Sequence, residues 1–180
     1  MWGYEVKITL SEFSPVTSRE FIIPENYSFE EFSNVINIIL GFSGNQESLF
    51  VIRPYNDIIK NKNVKSLLDV TYDTNTTYIK EFFDELPDLD YLYDMEDRWL
   101  IGIEINGKVE CKQNYPIVTD FKGVYNPLEG CGGVWELTEI IYYAKKPSAR
   151  DNSRNAKLSF EIKKFNLKEV NKKLKKIKYS

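Results

Sequence analysis

The chain has 180 residues, a net charge of −3 and no histidine. The missing histidine excludes Ser-His and Cys-His nucleophile pairs and the commonest zinc and iron ligand. Hydrophobic residues at 42%, charged residues at 28% and aromatics at 14% describe a globular protein of about one domain whose core is filled by large rings. No apolar run reaches the ~18 residues of a membrane span. MWGYEVKITL lacks a basic region followed by an apolar one, so no signal peptide is expected. The two cysteines, Cys111 and Cys131, stand in no metal-binding pattern, and a reducing cytoplasm is the expected setting. No metal or cofactor is expected.

YEVKITL places Tyr4, Val6, Ile8 and Leu10 on one face, which predicts a half-buried strand. The turn SPVTS leads to a second strand, REFIIP, closed by Pro24. A helix follows. Ser28 and Glu31 make an S-x-x-E capping box, and Tyr27 and Phe32 occupy staple positions. Phe29, Phe32, Val35, Ile36, Ile39 and Leu40 form its stripe, and Gly41 ends it. SLFVIRP reads as a third strand. The opening is strand, strand, helix, strand, which a β-grasp-like core is one way to close.

TTYIKEFFDEL reads as a helix that buries Ile79, Phe82, Phe83 and Leu86. DYLYD and RWLIGIEI read as strands, and Asn106-Gly107 as a two-residue hairpin turn into KVECK. From Tyr115 to Gly133 the Pro and Gly content predicts a long ordered loop. VWELTEIIYYAKK predicts a helix, acidic early at Glu136 and Glu139 and basic late at Lys145 and Lys146. LSFEI reads as a short strand. Asn166 caps a last helix, LKEVNKKLKKI, with Leu167, Val170, Leu174 and Ile177 as its stripe. The expected organisation is an α+β domain with a mixed sheet over residues 1–146, a linker at 147–156, and a basic helical segment at 157–180 docked on the same domain.

Charge is segregated. Residues 69–104 carry eleven acidic and two basic side chains, a balance of −9. Residues 145–180 carry thirteen basic and three acidic ones, a balance of +10. Such asymmetry fits a nucleic-acid-binding tail, or two surfaces that face each other within or between chains.

Three stretches are candidates for chemistry. YLYDMEDRW (Tyr91 to Trp99) holds Asp94, Glu96 and Asp97 between aromatics. As an ion site it fails the EF-hand pattern, since Leu92 and Tyr93 fall where a ligand and the turn glycine belong. As a hairpin, Tyr91 and Tyr93 face Trp99 and Ile101 across a turn that aspartate oxygens cap, and the spacing favours this. In GCGGVW, Cys131, Gly132 and Gly133 precede a helix. They suit either an anion site with an activated thiol or a tight turn with a buried cysteine, and the lack of a histidine base favours the turn. In the last helix, Lys168, Lys172, Lys173, Lys175 and Lys176 lie off the apolar stripe, as a solvated face or a phosphate-contacting one. The five arginines, Arg19, Arg53, Arg98, Arg150 and Arg154, make no recombinase-like cluster.

Several of these stretches together resemble the plasmid pRiA4b ORF-3-like family. The opening Tyr4 to Leu10 strand, Gly41-Phe42 after the capped helix, YDMEDRWLI (Tyr93 to Ile101), Tyr115-Pro116, PLEGCGG (Pro127 to Gly133), and the late set Phe165, Asn166, Val170, Asn171 and Leu174 occur in the family's order. Within the family's Y-D-F-G-D-x-W-x-H element this chain has Glu96 for glycine and Ile101 for histidine. Gly130 replaces the aspartate before the C-G-G cysteine, and an upstream cysteine is missing. The resemblance implies a family without assigned chemistry, some of whose members are labelled transposon resolvases or adjoin DNA-binding domains. It also implies that this chain lacks any use made of those histidine, aspartate and cysteine positions. The expectation is a non-enzymatic binding or interaction domain, contacting a protein partner or itself. The alternative is a nucleic-acid-associated protein of a mobile element.

Overall fold

The computed structural model describes residues 1–53, 57–61, 71–146 and 153–177. The chain opens with β1 (Trp2–Leu10), β2 (Ser18–Pro24), α1 (Phe29–Leu40) and β3 (Ser48–Ile52). β1 buries Tyr4, Val6, Ile8 and Leu10 and leaves Glu5, Lys7 and Thr9 half-exposed, the alternation that the pleat imposes. At the start of α1, Ser28 Oγ accepts from the Glu31 amide at 3.2 Å while Glu31 Oε2 accepts from the Ser28 amide at 2.8 Å. This reciprocal pair satisfies two amides that the helix leaves orphaned. Gly41 stops the helix in the left-handed region, its N–H donating to the Asn37 carbonyl. The whole α1 stripe is buried, and Phe32 stacks on Phe50 of β3 with ring centres 5.5 Å apart. Each such ring contributes roughly 1.5–3 kcal/mol through burial.

The remaining elements are β4 (Asp57–Lys60), β5 (Tyr72–Asp73), β6 (Asp88–Tyr93), β7 (Trp99–Glu110), β8 (Ile117–Lys122), α2 (Val134–Lys145), α3 (Arg154–Leu158) and α4 (Leu167–Leu174). The strands form one sheet in the order β5-β4-β3-β6-β7-β1-β2-β8. β4 and β5 are parallel and the named neighbours elsewhere antiparallel, so the fold is a mixed-sheet α+β domain, as expected. The strand-strand-helix-strand opening is closed by β7 and β6, which lie between β1 and β3.

Four local expectations are corrected. Asn106-Gly107 is no hairpin. β7 runs through it, and β1 pairs Val6 with Ile105 and Glu5 with Gly107, leaving Asn106 as the extra residue of a bulge. Gly107 sits at φ 145°, so the bulge calls on the same glycine freedom as a turn would. TTYIKEFFDEL forms only a 3₁₀ turn, Ile79–Glu81. It continues as tight turns, with Phe83 N–H donating to Ile79 O and Leu86 N–H to Phe82 O, while its first residues pair with the entry to α1: Ile79 N–H donates to Tyr27 O and Thr77 O accepts from Phe29 N–H, both at 2.9 Å. Ile79 and Phe83 are buried as expected. The loop expected from Tyr115 contains β8, an outer strand with little apolar alternation to announce it. LSFEI is not a strand: Leu158 ends α3, which Ser153 caps by accepting from the Ala156 amide. Of the expected linker, residues 147–152 lie outside the described residues.

α4 is capped by Asn166, as expected, and packs against α1 and β8 through buried Val170 and Leu174. Its Asn171 side chain binds both polar groups of Val118 in β8, accepting from the amide at 2.8 Å and donating to the carbonyl at 3.0 Å. The acidic 69–104 segment finds cations elsewhere, at Lys7 with Glu104, Arg53 with Asp90, and Lys108 with Asp84. Among the described residues no helix is long and apolar enough to cross a membrane.

Candidate functional site

The aspartate-rich and glycine-rich stretches, far apart in sequence, meet at one joint. β6 and β7 form a hairpin closed by the Tyr93–Trp99 pair. Asp94 takes the left-handed conformation at φ 61°, which a short polar side chain tolerates by bonding locally. Its Oδ1 accepts from the Glu96 amide at 3.0 Å, its backbone oxygen from the Arg98 amide at 2.7 Å, and its N–H donates to the Glu47 carbonyl. The Asp97 carboxylate leaves the turn and accepts from the Gly130 amide at 2.9 Å.

The loop holding Gly130 is fastened on two further sides. Glu129 accepts from the Ser43 amide and hydroxyl and from the Tyr93 hydroxyl, the last at 3.1 Å. The Tyr93 hydroxyl also accepts from the Gly44 amide, and its ring stacks on Phe42 at 4.4 Å. Arg154 of α3 donates to the carbonyls of Cys131 and Gly130. Gly133 lies so close to the hairpin that a Cβ there would stand 2.6 Å from the Asp97 carbonyl oxygen.

This geometry leaves the candidate residues little chemistry. Cys131 is fully buried, donates weakly to the Gly133 carbonyl, and has its thiol pushed up to about 11 by burial, the opposite of an activated thiolate. At the N-terminus of α2, Gly132 lies against the Glu136 side chain, so a carboxylate already faces that end. Trp99 is fully buried. Tyr93, Asp94, Asp97, Trp99, Cys131, Gly132 and Gly133 are thus gathered around packing and backbone bonds. Among the described residues no three carboxylate or thiol side chains group as metal ligands.

The five lysines of the last helical segment, Lys168, Lys172, Lys173, Lys175 and Lys176, are all exposed. Lys173 pairs with Glu169 at 3.4 Å, and the Lys175 ammonium stands 5.9 Å from the Tyr115 ring. An open cleft of about 240 Å³ separates this helix from the joint, lined by side chains of both signs including Glu129, Lys163, Lys164 and Lys173.

Two features escaped the sequence reading. Arg19 is fully buried, donates to the carbonyls of Ser18, Lys122 and Tyr125 and to the Asn126 side chain, and lies 4.0 Å over the Phe165 ring. Arginine in a strand pattern normally reads as exposed, so the pattern hid it. The second is the outer face of α2. Its buried side is Leu137, Ile140 and Ile141, yet Trp135 is 85% exposed and Tyr142 57% exposed. Their seven-residue spacing puts both rings on one stripe, a signal present in the sequence.

The late motif residues also have structural work. Phe165 lies under Arg19, Asn166 caps α4, Val170 and Leu174 enter the core, and Asn171 holds Val118. A search of curated proteins found no match. Among solved structures, the chain is similar to the crystal structure of the protein of unknown function MM3350 from Methanosarcina mazei Go1, with a TM-score of 0.74 and 19% identity over 92% of each chain. That likeness shows a shared fold. The sequence pattern of the plasmid pRiA4b ORF-3-like proteins matches residues 3–173, nearly the whole chain, and the chain belongs to that family.

Proposed function

We propose that this chain is a non-enzymatic protein-interaction domain whose contact surface is the outer face of α2. One observation carries the reading: Trp135 stands 85% exposed in line with the half-exposed Tyr142, on a helix whose opposite side is core. Tryptophan and tyrosine are the residues that dominate binding energy once buried by a partner, and an exposed apolar stripe is costly to leave in water. The binding rather than catalytic character is supported by the joint, where Asp94, Asp97 and Cys131 serve the backbone. The two cysteines are both free, which fits a cytoplasmic setting. The test is a photo-crosslinking side chain placed at position 135, with Tyr78 as an exposed control on another element. Protein adducts in cells at 135 and not at 78 support the reading; no adduct at 135 refutes it.

A second reading, association with nucleic acid, is favoured by the exposure of all five lysines, Lys168, Lys172, Lys173, Lys175 and Lys176, in a segment of balance +10. It predicts binding to duplex or single-stranded DNA that weakens steeply with salt. No binding at low salt removes it.

A further inference from the structure

We propose that the partner of the α2 face is a second copy of this chain, with two α2 helices packed antiparallel across a two-fold axis. The proposal rests on α2 being the contact surface. The argument is self-complementarity. Trp135 is a projecting knob, and seven residues further along the same helix Tyr142 borders an open groove of about 190 Å³. Phe13, Ser14, Pro15, Thr138, Ile141 and Lys145 complete its lining, whose surface is mostly apolar. Knob and groove lie about 10 Å apart along the helix. A two-fold axis passing near Thr138 and Glu139 sets residue 135 of one copy opposite residue 142 of the other, and the reverse. Each indole then enters the other copy's groove, the reciprocal arrangement that a two-fold interface requires.

Charge selects the same orientation. The knob's half of the helix carries Glu136, which lies by Gly132, and Glu139, which accepts from the Asn155 side chain at 2.7 Å, while Lys145 lines the groove and Lys146 follows it. Antiparallel packing brings the acidic half of each helix to the basic half of its partner and opposes the two helix dipoles; parallel packing sets like against like. The apolar surface extends beyond the helix. A second groove shares Phe13, Pro15, Ile141 and Lys145 and reaches Val16 and Val124, which are 57% and 56% exposed. A foreign partner would need only a knob or only a groove; this surface carries both on one helix stripe.

The experiment is sedimentation equilibrium of the purified full chain over a micromolar concentration series. A reversible dimer is expected. Trp135→Ala and Tyr142→Ala should each weaken it by at least about tenfold, with far-UV circular dichroism unchanged because both side chains project into solvent. Lys145→Glu should also weaken it. A chain that stays monomeric throughout the series overturns the proposal, as does a dimer that Trp135→Ala leaves intact. The wider reading fails differently. Crosslinks from position 135 to another protein, with a monomeric pure chain, sink self-association and keep the contact surface, whereas no crosslinks at 135 sink both.

Discussion

The Asp97 carboxylate accepts the Gly130 amide across thirty-three residues of chain, and this hydrogen bond joins the one from Tyr93 to Glu129 in tying the β6–β7 hairpin to the loop that starts α2. The contact is charge-assisted but open to water. Asp97→Ala should therefore cost about 1 kcal/mol, while Asp97→Asn, whose amide oxygen still accepts, should keep most of the stability. Urea denaturation of the two variants makes the comparison. Equal midpoints for Asp97→Ala and the parent chain would show that the bond contributes nothing.

Gly133 and Gly130 separate two reasons for glycine. Both have positive φ, 91° and 76°, but only at Gly133 would a Cβ meet neighbouring backbone. Gly130→Ala should cost about 1 kcal/mol from its backbone angle alone. Gly133→Ala meets a region, φ 91° with ψ −161°, that side chains hardly enter, and a collision with the Asp97 carbonyl, and should cost about 3 kcal/mol. Melting temperatures of the pair test the order, and a Gly130→Ala variant that is the less stable of the two contradicts it.

Burial raises the Cys131 thiol from about 9 to about 11. The folded chain thus holds this proton more tightly than the unfolded chain does. The resulting stability is fully present below about pH 9 and is lost as pH climbs through 11. A thiol reagent at pH 8 should leave Cys131 unmodified until denaturant is added. Rapid modification of the folded chain at this position, identified by peptide mass, would contradict the buried assignment.

Arg19 joins strand β2, the carbonyls of Lys122 and Tyr125, and the ring of Phe165. Arg19→Ala leaves those carbonyls without their donor and strips a ring of its stacked cation, a loss of about 2–3 kcal/mol. Arg19→Lys should recover only part of it, since an ammonium lacks the planar fork. Limited trypsin digestion should cut the lysine-rich C-terminal segment faster in Arg19→Ala. Digestion at the parental rate would place the segment's anchor elsewhere.

Elements whose signals are local were legible in the sequence. α1 carries its cap, stripe and stop within fourteen residues, from Ser28 to Gly41, and each does what the pattern implies. Where tertiary pairing decided, the pattern misled. Asn106-Gly107 offers a turn, but β1 supplies partners for Lys108 to Glu110, so the strand continues and the glycine serves a bulge. Residues 76–86 have helical spacing, yet the entry to α1 takes the backbone of Thr77 and Ile79 and the rest closes only short turns. That an aspartate caps the motif turn was legible, but not that Asp94 rather than Asp97 does so. That Asp97 reaches Gly130 was not, because no local period encodes a bond between segments brought together only by the sheet.

Asn171 gives the last helix a task unrelated to charge. β8 ends the sheet, and the two bonds from one carboxamide to Val118 complete a rung that another chain's strand would otherwise fill. A lateral margin of this kind is a template for polymer growth unless something occupies it. The final helix therefore acts as a stopper as well as a cover for the core: with it removed, strand-by-strand joining of neighbouring molecules is expected together with exposure of the apolar surface that Val170 and Leu174 fill.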